Sequence, residues 1–151
     1  MPSLIQSALI VEAVANIGSA LPSIFAPKWT IAGLLAPAEA ANPPSSTLTL
    51  VQAIGGFVVA LTVPMVAAVP DGPHATFMRK VAYCSLGAAE LLLAPLLLVK
   101  TRQGAASGFA TEKPPMIVGG VLVPLMLFRA YALFGNPKLM DSKNEGKEKE
   151  K

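Results

Sequence analysis

The sequence has very few of the residues on which most catalytic and metal sites depend. It contains one cysteine, Cys84, and one histidine, His74, among 151 residues. A single cysteine excludes an internal disulfide, and one imidazole without clustered carboxylates does not hold a metal. The sequence also lacks a GxGxxG motif after a strand, a phosphate loop, a CxxC pair and an HExxH motif. We therefore expect neither a metal nor a cofactor.

Charge is also scarce. Only 14% of the residues are charged and 53% are hydrophobic, whereas a soluble domain has roughly a quarter of its residues charged. Much of the charge lies in residues 138–151, so the rest of the chain is more apolar than the average indicates. The formal charge of +3 does not predict nucleic-acid binding, because the basic residues are scattered rather than gathered on one surface.

Long apolar stretches dominate the remainder of the chain. A helix of about 20 apolar residues crosses the bilayer core, and proline-rich connectors separate four stretches that reach or approach this length. We expect helices over residues 4–25, 48–69, 77–99 and 116–134. The predicted fold is an all-α polytopic membrane protein, with an up-down bundle of four transmembrane helices in residues 1–137 and a charged, disordered tail in residues 138–151.

The first apolar stretch differs from a cleaved signal peptide. It has no basic segment before it, it is long, and it contains Glu12 and Asn16, so we expect it to remain as a spanning helix. The connector that follows contains Lys28 and Trp29. Tryptophan and lysine are typical of the membrane interface, so we expect a short helix there on the membrane surface.

The even number of predicted spans places both termini on one side of the bilayer. Basic residues favour the cytoplasmic side. The terminal side carries Arg79, Lys80 and five lysines of the tail, against Lys28, Lys100, Arg102 and Lys113 on the other side. The majority predicts cytoplasmic termini, and the bilayer is the expected partner.

Charged residues inside the predicted helices need partners, because burying a charge in the bilayer centre costs about 2.5–3.5 kcal/mol on insertion scales. Counting helical rise from the terminal side puts Glu12 about 12 Å deep, Arg129 about 8 Å deep and Glu90 about 16 Å deep. We expect Glu12 and Arg129 to lie at matching depth, with Arg129 or Asn16 approaching Glu90. Tyr83 shares a helix face with Glu90.

Two interpretations of these residues remain open. In the first, the chain is a structural or accessory membrane protein whose acids and arginine tie the helices together. In the second, a semi-polar interior binds a hydrophobic small molecule, or a cofactor-free isomerase or cyclase acts on one. Glu90 and Glu12 would then be the acid and base, and Arg129, Asn16 and Tyr83 would bind the substrate. A pocket of at least about 300 Å³ that reaches Glu90 favours the second interpretation, and solid packing favours the first.

The segment RKVAYCSLGAAE, residues 79–90, carries a resemblance. Its basic start, aromatic residue, glycine and glutamate, together with the four predicted helices, resemble the small DoxX-like four-helix membrane proteins. The resemblance implies a fold rather than an activity. The intramembrane acids are more loosely similar to those of the membrane-embedded isomerases and terpene cyclases of fungal secondary metabolism, from which no residue role transfers. A transporter subunit is a weaker alternative, and assembly into a homo-oligomer stays open.

Overall fold

Four long helices make up most of the protein. The computed structural model describes residues 3–141, in which the long helices are α1 (Leu4–Phe25), α2 (Ser45–Ala67), α3 (Ala75–Gln103) and α4 (Lys113–Gly135). Each is long and apolar enough to cross a membrane. The described part of the chain contains no strand, only an isolated bridge between Leu35 and Phe109. The prediction of an all-α bundle with four long helices is confirmed.

The ends of the helices differ from the predicted bounds by at most a few residues. The first helix coincides with its predicted range, whereas α2 and α3 begin earlier in the chain than expected and α3 continues to Gln103. The start of α1 has a clear local cause. Ser3 Oγ accepts a hydrogen bond from the Gln6 amide at 3.3 Å, and Gln6 Oε1 accepts one from the Ser3 amide at 2.7 Å, which forms a capping box.

The connector between α1 and α2 contains two short helices, Pro27–Leu34 and Pro37–Ala41. The first of them carries Trp29, which is 71% exposed, so the expected short helix is present. Its backbone also joins the connector between α3 and α4. The Ala36 amide donates to Gly108 O at 3.0 Å, so the two connectors are tied together at the end of the bundle opposite the termini.

Helices α1 and α2 pack closely through a glycine. A Cβ atom added at Gly55 would lie 2.9 Å from Ser23 Cβ and 3.0 Å from Ala20 O. Such close approach of two helix backbones requires a residue without a side chain. One turn away, the Gln52 side-chain amide donates to Ile24 O at 2.9 Å. Gln52 thus satisfies its polar group within this helix pair and does not reach the acids, as its position in the sequence suggests.

The main core lies at the end of the bundle that holds both termini. All four long helices and the segment after α4 contribute to it, and its fully buried members include Ile5, Leu9, Met65, Tyr83, Ala132 and Met140. A smaller apolar cluster joins α3 and α4 nearer the other end, with Ala94, Leu97, Val118 and Leu122. Between these two clusters lie the buried charges.

The outward faces of the helices are apolar. Phe25, Leu92 and Phe134 are each about 80% exposed, and no more than a third of any apolar helix window is buried within the protein. Hydrocarbon can cover such faces without the cost that water would impose. These faces are consistent with a multi-pass membrane protein.

The helical domain extends beyond the predicted boundary at residue 137. Pro137–Met140 forms a 3-10 turn, and Met140 is fully buried in the main core. The prediction that a disordered tail begins at residue 138 is therefore too early, because an apolar side chain and the backbone around it pack onto the bundle. The rest of the predicted tail, residues 142–151, lies outside the described residues.

Candidate functional site

A cluster of three charged side chains links three of the long helices. Arg129 of α4 lies between Glu12 of α1 and Glu90 of α3. Its Nη2 donates to Glu12 Oε2 and to Glu90 Oε1, both at 3.0 Å, and its Nε donates to Glu90 Oε2 at 3.0 Å. Arg129 and Glu90 are 4% and 7% exposed. The expected approach of Arg129 to both acids is observed.

The backbone of α4 is irregular on both sides of Arg129. It is π-helical at Val118–Leu122 and at Tyr131–Gly135, with the α-helical stretch Val123–Ala130 between them. The Asn136 amide donates to Tyr131 O at 2.7 Å, which is the i to i+5 spacing of a π turn. Each π turn holds more residues than an α turn, so these segments set the direction in which Arg129 leaves the helix.

Tyr83 lies against the charge cluster. The guanidinium carbon of Arg129 is 5.2 Å from the centroid of the Tyr83 ring, within the range of a cation–π contact. Phe128 packs on the same ring, with the two ring centroids 6.2 Å apart. The Tyr83 side chain is therefore part of both the core and the polar cluster.

Two buried donors of this cluster have no protein partner. Tyr83 Oη and Arg129 Nη1 are both buried and make no hydrogen bond, although the Nε and Nη2 atoms of Arg129 are fully engaged. Buried polar atoms are almost always hydrogen-bonded, so a pair of exceptions at one place needs an explanation.

An apolar groove of about 300 Å³ lies between α3 and α4, and both of these residues line it. Its other walls are apolar or small side chains, and they include Cys84, Gly87, Ala88, Leu91, Met126 and Phe134. The volume meets the lower bound for a small-molecule site. Glu90 does not line the groove, so the expected contact between a pocket and the acids is made through Arg129 instead.

Glu12 lines a different groove. That groove measures about 320 Å³, lies between α1 and α4, and is walled by apolar residues including Leu4, Val11, Leu125 and Phe128. The two predicted acid–base residues therefore occupy different surroundings. Glu90 is enclosed by its contacts with Arg129, whereas Glu12 borders open space between two helices.

Asn16 does not join the cluster that the sequence predicts for it. Its side-chain amide donates to Met65 Sδ of α2 at 3.4 Å. The spacing of one helical turn from Glu12 was read correctly, but the next turn of α1 faces α2, whose close packing captures the side chain. Asn16 is a contact between α1 and α2 rather than a neighbour of Glu90.

Arg79 forms a second buried charge cluster that sequence reasoning did not find. It is fully buried. It donates to Ala68 O at 3.2 Å and to Asp141 O at 3.1 Å, and its Nη2 lies 2.7 Å from Asp71 Oδ1. Arg79 therefore joins the connector after α2 to the segment after α4. Asp71 was the only available signal, because an acid and an arginine eight residues apart bracket the start of α3.

The fold and the buried charges are those of a polytopic α-helical bundle with apolar outer faces. Comparison with protein-family models, with curated proteins and with solved structures finds no match. The chemistry of the site must therefore be argued from the geometry of this chain.

Proposed function

We propose that this protein is an integral membrane protein that binds a lipophilic small molecule in the groove between α3 and α4. The observation that carries the proposal is the pair of buried, unpartnered donors, Tyr83 Oη and Arg129 Nη1, on two residues that line one apolar groove. An apolar body would fill the groove. A polar acceptor on the same molecule would receive the two donors.

The charge cluster supports this function by holding Arg129 in place. Glu90 and Glu12 fix Nε and Nη2, which leaves Nη1 as the part of the guanidinium free to bind a ligand. A donor held rigidly before binding loses little entropy when the ligand arrives. The structural role of the acids and the binding role of Arg129 therefore belong to one arrangement.

Mass spectrometry of the lipids extracted from purified protein tests the proposal. Gly87 lines the groove beside Arg129, where an added Cβ would lie 3.8 Å from Arg129 Cδ, so Gly87→Leu fills the groove. Gly56→Leu on α2 is the matched control, because nothing lies within 4 Å of a Cβ at Gly56.

We expect a lipophilic molecule enriched over bulk lipid in the wild type and in Gly56→Leu, and depleted in Gly87→Leu. The absence of any enriched molecule, or equal amounts in Gly87→Leu, would count against a ligand site in this groove.

Cofactor-free proton transfer is the second candidate function, and the position of Glu12 beside its own apolar groove favours it. Glu90 is less suited to this role, since both of its oxygens accept N–H groups of Arg129. The test is deuterium incorporation from D₂O into the extracted molecule, compared between the wild type and Glu12→Gln. Equal incorporation in both would exclude Glu12 as the acid or base.

We also propose that both termini face the cytoplasm. Gln6 near the start of the chain donates to Val69 O, and Arg79 binds the carbonyl of Asp141, so the two ends lie on the same side of the bundle. The balance of basic residues supports the cytoplasmic side. Protease protection of terminal tags in sealed vesicles tests this orientation, and protection of both tags in right-side-out vesicles is the expected result.

A further inference from the structure

The charges around Arg129 bear on the chemistry of the ligand, an inference that rests on the proposed function. Arg129 brings one positive charge to the site, and Glu90 alone matches it through three hydrogen-bond contacts. Glu12 adds a second carboxylate on Nη2. The positive charge at the groove is therefore already compensated before any ligand binds.

No second cation is available to the cluster. Among the described residues, the ion pairs of Glu12 and Glu90 are with Arg129 alone. The other buried arginine, Arg79, is occupied by Asp71 and by backbone carbonyls. A carboxylate bound beside Nη1 would be a third negative group around one guanidinium, in surroundings of low polarity where uncompensated charge is costly.

The remaining hydrogen-bonding capacity suits a neutral acceptor. Nη1 of a guanidinium carries two N–H groups and a tyrosine hydroxyl carries one O–H, and neither atom has a protein partner here. A carbonyl oxygen offers two lone pairs and no charge, so it can accept one hydrogen bond from each residue. The walls of the groove are otherwise apolar.

We propose that the ligand is a lipophilic molecule whose head is an uncharged carbonyl, as in a ketone, aldehyde or ester, rather than a carboxylate. Its oxygen accepts hydrogen bonds from Arg129 Nη1 and Tyr83 Oη. Its apolar body runs along the groove past Ala88 and Leu91 toward the exposed Phe134.

Alkylation of Cys84 by a maleimide provides the readout. Cys84 is the only cysteine in the chain, it is exposed and it lines the groove, so an occupied groove slows its reaction. The probes are three saturated compounds of equal chain length, a methyl ketone, a fatty acid and an alkane, added to detergent-solubilised protein at a pH where the acid is ionised. Gly87→Leu, with the groove filled, is the control for non-specific partitioning into the micelle.

We expect the ketone to protect Cys84 at about tenfold lower concentration than the alkane, as one or two net hydrogen bonds allow, and the fatty acid to protect no better than the alkane. Tyr83→Phe should reduce the advantage of the ketone over the alkane by a few fold and leave protection by the alkane unchanged.

The possible failures are distinct. Protection by the fatty acid at lower concentration than the ketone would overturn the neutral head and leave the groove as a binding site. Equal protection by the ketone and the alkane would show that the head is not recognised. Protection by none of the three would overturn the proposed function itself.

Discussion

The guanidinium carbon of Arg129 lies 5.2 Å from the ring centroid of Tyr83, while the hydroxyl group of the same tyrosine is buried without a protein partner. The ring and the hydroxyl of Tyr83 therefore have separate roles. The ring supports the guanidinium and fills the core beside Phe128. The hydroxyl contributes nothing to the ligand-free fold that the ring does not already provide.

Replacing Tyr83 by phenylalanine separates these roles. An unpartnered buried hydroxyl costs about 1–3 kcal/mol, so Tyr83→Phe is expected to raise the stability of the delipidated protein by about 1 kcal/mol. Tyr83→Leu loses the aromatic face and is expected to lower it. The measurement is an SDS titration in detergent micelles followed by circular dichroism. A loss of stability in Tyr83→Phe would mean that the hydroxyl has a partner in the protein.

Removing Arg129 alone leaves two acids facing each other within the bundle. Breaking a buried pair by removing one partner costs about 3–5 kcal/mol, and Arg129→Leu is expected to lose that much stability. The triple variant Glu12→Leu, Glu90→Leu, Arg129→Leu removes all three charges, so it should recover most of the loss. The same SDS titration compares the two variants, and a triple variant as unstable as Arg129→Leu would show that shape rather than charge balance is at stake.

Two adjacent glycines of α2 provide a matched pair for the contact between α1 and α2. A Cβ at Gly55 would meet Ser23 and Ala20 at about 3 Å, whereas a Cβ at Gly56 would meet nothing within 4 Å. Gly55→Ala is expected to destabilise the protein by about 1–3 kcal/mol, because the backbones must move apart. Gly56→Ala is expected to be neutral or slightly stabilising, since alanine has the higher helix propensity.

Thermal denaturation monitored by circular dichroism measures both glycine variants. An equal effect of the two substitutions would contradict the close packing of α1 on α2 and point to a general sensitivity of that helix to added volume.

Arg79 is expected to hold the segment after α4 onto the bundle. Arg79→Gln removes the ion pair to Asp71 and the contacts to the carbonyls of Met140 and Asp141. We expect a lower melting temperature and faster proteolysis after residue 137, whereas Lys80→Gln, on the exposed neighbour, leaves both unchanged. Limited proteolysis with mass spectrometry locates the cut. Unchanged cleavage in Arg79→Gln would mean that Met140 alone anchors the segment.

Much of the fold follows from the sequence because the rules of the bilayer are simple. Segment length and apolar content predict the four helices, and counting helical rise places Glu12, Glu90 and Arg129 near one another. The cost of burying charge then predicts that they pair. Depth along the bilayer is a single coordinate, and a linear sequence carries it well.

The sequence does not predict what depends on rotation and on irregular backbone. Asn16 faces α2 because of how α1 rotates, which depth does not give. Arg79 is buried by carbonyls of a connector and of the segment after α4, and no periodic pattern marks those acceptors. For the same reason a basic residue that appears to belong at the membrane surface lies in the core.

The π turns of α4 make the number of residues in this helix as important as their identity. Deleting one residue from Val118–Leu122 would restore an ordinary α turn and rotate everything after it by about 100°. Arg129 would then point away from both glutamates, even though every side chain of the cluster was still present. Substitutions along the outer face of this helix can accumulate freely over evolutionary time, whereas a single insertion or deletion between Val118 and Arg129 would separate the two halves of the bundle.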